Sequence, residues 1–217
     1  MKSTKFGMSV QNLPIMAYHF GSSGPQVLIL GGVHGDETEG VICARSLLAH
    51  FSDSFGYNLQ LTVVPEFNID GVLKVQRKNA NGVDLNRNLP TKDWTRDVAE
   101  ERYYPGEAAN SEPENQALCQ WLETYSPRLI ISLHSWKPML NTNGNCQPEA
   151  NIISEKTGYE VHESIGYPTP GCLGTFTGLE RDMPTITYEI ERGMAASEII
   201  KTHVPAILEA LKATEKR

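Results

Sequence analysis

Residues of the metal-ligand type stand where two apolar runs stop. Val27-Leu28-Ile29-Leu30-Gly31-Gly32-Val33 leads straight into His34-Gly35-Asp36-Glu37, and Arg128-Leu129-Ile130-Ile131-Ser132-Leu133 leads into His134. Short apolar runs of this length read as buried strands, so both histidines are expected at strand ends. Two imidazoles and a carboxylate are the ligand set of a hydrolytic zinc site, whose fourth position stays open for water. Such a site also needs a carboxylate to take the water's proton and a cation for the oxyanion that develops. Glu189 and Arg77 are the candidates. A His-x-x-Glu pair by itself arises by chance in many chains, and a glutamate in an alternating strand commonly faces solvent. The strand-end placement and the second histidine set His34, Glu37 and His134 apart. His19, His50, His162 and His203 lack that context and read as surface or core polar residues.

The elements that must position these residues alternate. Leu13 to Phe20 reads as an edge strand, Gln26 to Gly31 as the central strand, and Glu37 to about His50 as a helix with a buried stripe at Val41, Ile42, Leu47 and Leu48. Leu59 to Phe67 is a second strand, after which Asn68-Ile69-Asp70-Gly71 turns the chain. Residues 72–110 are polar and aperiodic, and a loop of that length in a compact domain is functional or disordered. Ser111 and Glu114 form a capping-box pattern for a helix over Glu112 to Tyr125. After the His134 strand come an Asn-, Pro- and Gly-rich loop, a short helix ending at Gly158 and an exposed loop over Tyr167 to Gly174. In the strand Thr185 to Glu191, Ile186, Tyr188 and Ile190 alternate with Thr187, Glu189 and Glu191. A C-terminal helix begins near Ser197 and is kinked or restarted at Pro205. The pattern predicts a single α/β domain over 1–217, with a mixed, largely parallel central sheet and helices on both faces. Parallel neighbours would bring His34 and His134 to one sheet edge, where ligands bind in open α/β sheets.

Composition narrows the partners. With 217 residues, 40% hydrophobic and a formal charge of −7, the chain can bury a sizeable core but has no basic excess for a nucleic-acid or acidic-membrane partner. No run approaches a membrane span, and Met1 to Phe20 lacks the unbroken apolar stretch of a signal peptide, so a cytoplasmic location is expected. Cys43, Cys119, Cys146 and Cys172 have no Cys-x-x-Cys spacing and no neighbouring histidine, which argues against a thiolate zinc site or a cysteine nucleophile. The sequence leaves a homodimer open.

Taken together and in order, Gly-Gly-Val-His34-Gly-Asp-Glu37, Asn68-Ile-Asp-Gly71, Asp84-Leu-Asn86-Arg87-Asn88, Ser-Leu-His134-Ser and Thr-Tyr-Glu189-Ile-Glu-Arg resemble the zinc carboxypeptidases of the carboxypeptidase A type. Asn79 to Asn88, with Ser111 to Leu118, resembles most a compact bacterial branch, the murein peptide amidases. The resemblance implies one zinc per chain on His34, Glu37 and His134, Glu189 as general base and Arg77 as oxyanion stabiliser. It further implies Asn86 and Arg87 as the grip on a substrate carboxylate, Asp84 as the carboxylate that orients the first zinc histidine, and Tyr167 as a mobile tyrosine over the substrate. The implied reaction is hydrolysis of the γ-D-glutamyl–meso-diaminopimelate bond of murein tripeptide in cell-wall peptide recycling, with a small muropeptide as substrate. The alternatives are an N-acyl amino acid deacylase or general metallocarboxypeptidase of the same superfamily, and a non-catalytic peptide-binding protein, which would lack a ligand or the base.

Overall fold

A computed structural model describes residues 1–216. Its eight strands form one sheet: β1 Lys2–Met8, β2 Pro14–Phe20, β3 Gln26–Gly31, β4 Gln60–Val64, β5 Leu129–Trp136, β6 Met139–Asn143, β7 Val161–His162 and β8 Thr185–Glu191, in the order β1-β2-β4-β3-β5-β8-β6-β7. The central four, β4-β3-β5-β8, are mutually parallel, and the antiparallel pairings lie outside them. Parallel strands need both faces covered. The helices α1 (Thr38–Asp53), α4 (Gln147–Thr157) and α5 (Ala196–Thr214) supply one face, packing Cys43, Leu47, Ile153 and Ile207 against Ile29, Ile131 and Tyr188. The other face is covered by α3 (Pro113–Tyr125), through Leu118 and Leu122, and by Leu85, Leu89 and Phe176 from the loops, over Leu28, Leu30 and Ile130. The alternation of β8 therefore sorts Ile186, Tyr188 and Ile190 into the first core and leaves Thr187 and Glu189 on the second face.

The structure departs from the sequence expectations at several places, among them the loop Tyr167 to Gly174, which is buried rather than exposed over Gly171 to Gly174. Lys2 to Met8 is a strand, paired antiparallel with β2 at the sheet edge; its lysines suit an edge and hide the apolar pattern of a strand. Within the Asn-rich segment after His134, β6 pairs with β8, its Leu140 in the core and its Asn141 in the cleft described below. Asn68 to Gly71 opens a short helix, α2 (Ile69–Lys74), whose cap is Asn68 accepting from the Gly71 N–H at 3.0 Å. The capping box at Ser111 does not form. Glu112 holds the cap position without a side-chain cap bond, while Ser111 Oγ donates to Glu112 and the Glu114 carboxylate accepts from Val10 N and Asn79 Nδ2. Asparagines of the 79–88 loop compete successfully for the groups that would otherwise cap α3. Through Pro205, α5 runs without interruption. Among the described residues no helix is long and apolar enough to cross a membrane.

Candidate active site

At the end of β3 the chain turns through Gly32, whose φ of 66° is a conformation that favours glycine. The turn places His34 and Glu37, both buried, just before α1. Close approach of α1 to β5 fixes their distance from the neighbouring strand: a Cβ on Gly40 would lie 2.4 Å from the Leu133 carbonyl oxygen. His134 therefore meets the His34–Glu37 loop directly. Glu37 bridges the imidazoles, one oxygen 2.9 Å from His34 Nδ1 and the other 2.8 Å from His134 Nδ1, and the two Nδ1 atoms are 3.2 Å apart. The far nitrogens are engaged elsewhere: His34 Nε2 with Asp84 at 3.0 Å and His134 Nε2 with Ser132 Oγ at 2.9 Å. These partners orient both rings with Nδ1 inward. Ligand atoms at about 2.0–2.1 Å from a tetrahedral zinc stand about 3.3 Å from one another. The donor set and spacing here fit such an ion.

Arg77 and Asp84 come from the long loop. Asn68 Nδ2 donates to the Arg77 carbonyl at 3.2 Å, so the cap of α2 also anchors the arginine beside the His34 loop. The Arg77 guanidinium donates to Asp84 Oδ2 from Nε at 2.9 Å and reaches Glu37 at 3.3 Å. Burial opposes ionisation of Asp84, but His34 and Arg77 outweigh it and hold this carboxyl well below the usual range. Asp84 also accepts from Asn86 N at 3.0 Å, capping the single turn Leu85–Arg87 and so aiming the next two side chains.

Glu189 is the register partner of His134 across β5 and β8. It is buried, its Oε2 has no hydrogen-bond partner among the described residues, and it lines the same cleft as His34, Glu37 and Arg77. Burial, opposed by His134 and reinforced by Glu37, pushes its carboxyl up to about 7. Glu191, two residues on, is exposed. Asn86 and Arg87 line the cleft opposite. Asn86 Oδ1 accepts from Leu173 N at 2.8 Å, and Arg87 is buried with its guanidinium 5.2 Å from the centre of the Tyr103 ring. Tyr167 also reaches the cleft, edge-on to Trp136 at 5.9 Å.

All the residues singled out from the sequence thus converge on one cleft or directly behind it. The structure adds others. Ser132 was legible, since it shares a strand face with His134. Glu39, which ties Ser135 Oγ at 2.6 Å to Gly193 N at 2.7 Å, sits on the first turn of α1 and had no such signal. Arg102, Tyr103 and Asn141 also line the cleft, from segments without periodicity, and so does Arg192 just past β8.

A family model for zinc carboxypeptidases matches residues 1–196. The chain belongs to this family. As a zinc carboxypeptidase homologue it is a hydrolytic enzyme of the metallopeptidase class. It is 30% identical to murein peptide amidase A of Vibrio campbellii, over 96% of this chain and 87% of that protein. It is 32% identical to murein peptide amidase A of Escherichia coli K12, over 79% of this chain and 74% of that one. The crystal structure of the murein-tripeptide amidase MpaA from Escherichia coli O157 superimposes with a TM-score of 0.83 at 27% identity, covering 98% of this chain and 92% of that one. Bovine thrombin-activatable fibrinolysis inhibitor, at 18% identity, shares the fold with a TM-score of 0.85 over 99% of this chain and 90% of that one.

Proposed function

We propose that this metallopeptidase is a zinc-dependent amide hydrolase that cleaves the γ-D-glutamyl–meso-diaminopimelate bond of free murein tripeptide. One cleft holds both a buried Glu189 carboxylate oxygen and a buried Arg87 guanidinium, the first without a hydrogen-bond partner and the second without a carboxylate partner among the described residues. That pairing carries the proposal, because it matches a water to be deprotonated and a substrate carboxylate to be held. The amidase relatives support the choice of substrate.

Zinc held by His34 Nδ1, His134 Nδ1 and Glu37 would supply the Lewis acidity that makes a water ionise near neutrality. Glu189, poised near 7, takes that water's proton on Oε2 and returns a proton to the departing amine. Arg77 faces the carbonyl oxygen as it gains negative charge. Asn86 and Arg87 hold the terminal carboxylate of diaminopimelate, the planar guanidinium making two parallel bonds. Tyr167 closes over the bound peptide from the rim. The cytoplasmic setting belongs to this proposal.

The test is a comparison of kcat/KM for the free tripeptide, its D-alanine-extended tetrapeptide and acetyl-diaminopimelate. The tripeptide should be the best substrate, because only it offers both the γ-D-glutamyl group and a free carboxylate at the Arg87 position. Equal turnover of the tetrapeptide would dismiss the carboxylate grip. Equal or better turnover of acetyl-diaminopimelate would make the protein an N-acyl amino acid deacylase.

A further inference from the structure

Three guanidinium groups crowd one phenol ring in the cleft. The Cζ atoms of Arg77, Arg87 and Arg102 lie 5.4, 5.2 and 5.1 Å from the centre of the Tyr103 ring, and all four residues line the same space. Arg77 is neutralised by Glu37 and Asp84. The other arginines in ion pairs among the described residues are Arg45, Arg96, Arg181 and Arg192, so neither Arg87 nor Arg102 has a carboxylate partner. Glu101, next to Arg102 in sequence, pairs with Lys78 instead.

This arrangement is unusual for a chain carrying 26 acidic residues and a formal charge of −7. Because each Cζ lies just over 5 Å from one ring centre, the Arg87 and Arg102 charges are no more than about 10 Å apart. That is about one Debye length at moderate salt, close enough for like charges to repel. The ring face offsets part of the cost, as cation–π contacts do, but it does not replace a counter-ion.

We infer that Arg102 is a second anion subsite: the cleft takes a substrate with two carboxylates, one on Arg87 and one on Arg102, with Tyr103 setting the spacing between them. The identity of the second carboxylate rests on the proposed function. A γ-linked glutamate keeps its α-carboxylate free, a group that an ordinary α-linked peptide lacks, and diaminopimelate carries a distal carboxylate as well. The shared chemistry is a second carboxylate beyond the one at the chain terminus, and Arg102 is a specificity-determining residue for it.

The experiment uses zinc-loaded Glu189→Gln protein, with and without Arg102→Gln, and reads ligand affinity by calorimetry. Arg102 is exposed on the single turn Glu101–Tyr103, so its replacement leaves the fold intact. The ligands are the tripeptide, the tripeptide with the glutamyl α-carboxylate amidated, and the tripeptide with lysine in place of diaminopimelate. Arg102→Gln should weaken the tripeptide about tenfold, the low end for a charge-assisted contact at an exposed site. One modified ligand should bind both proteins alike at the weakened level, and that ligand identifies which carboxylate Arg102 holds. In the active enzyme the same substitution should raise KM and change kcat by less than about twofold, as lost uniform binding does. An unchanged affinity for the tripeptide, or an equal loss for all three ligands, would overturn the inference. Wild-type turnover of the tripeptide without an Arg102 effect overturns this inference alone, whereas neither turnover nor binding of the tripeptide overturns the functional reading with it.

Discussion

Glu189 and Glu191 are two residues apart on one strand, yet their surroundings are opposite. Glu189 is buried, with His134 as its register partner and an oxygen bare among the described residues, and Glu191 is in solvent. Residues two apart share a strand face but are offset by roughly 6–7 Å, so only one can reach a water at the His34–His134 site. Glu189→Gln should retain metal and lose about 3 kcal/mol or more of transition-state stabilisation, a hundredfold or greater fall in kcat/KM. Glu191→Gln should stay near wild type. Steady-state kinetics with metal analysis of both variants checks this, and the reverse pattern would mean that the other carboxylate is the base. Much of the constellation could be read from residue types: histidines at two strand ends, and a glutamate in an alternating run. Arg102 and Tyr103 could not, because they sit in an aperiodic loop whose position depends on long-range bonds such as Asp84 N to the Tyr104 carbonyl at 2.8 Å.

At the scale of elements, the sheet positions the site from behind. Opposite the cleft, β8 is held by Tyr188, which shares a hydrogen bond with Nδ1 of the buried His203 on α5, while Tyr159 Oη lies 3.4 Å from His203 Nε2 and accepts from Glu191 N at 3.2 Å. Glu189 is thus flanked on its own strand by two residues tied into one network. Burial lowers the pKa of His203 from the ordinary 6.5 to about 4. The folded state therefore favours the neutral ring. Below pH 6.5 the unfolded chain binds the extra proton first, so this group's contribution is intact above that range and is lost as pH falls from about 6.5 to 4. His203→Gln, which keeps hydrogen-bonding capacity but does not titrate, should be less stable at pH 7.5 by about 1–2 kcal/mol. The gap to wild type should narrow by pH 5. Denaturant unfolding at the two pH values measures it, and a pH-independent gap would contradict the assignment. The strands that could be read from sequence, β2, β3, β4, β5 and β8, are those buried on both faces or alternating. In β1 and β6 the lysines and asparagines that serve the edge and the cleft erase the apolar signal.

Over the whole molecule, the parallel centre of a mixed sheet carries two histidines to one edge, and a loop of nearly forty residues, pinned by Asn68, Asp84 and Asn88, brings in the arginines. The sheet positions His34, His134 and Glu189, and the loop positions Arg77 and Arg87. Fold class followed from the alternation of elements, but the loop's path did not, since its bonds run between residues far apart in the chain, as from Asn79 to Glu112 and Glu114. The proposed chemistry is hydrolysis of the tripeptide in this cleft with one zinc. Its most direct test is to titrate zinc into chelator-treated protein while following release of free diaminopimelate from the tripeptide. The rate should rise in proportion to bound zinc and level off at one ion per chain, with His134→Ala neither retaining tight zinc nor regaining activity. Full turnover by metal-free protein, or stoichiometric tight zinc in His134→Ala, would contradict the proposed zinc site.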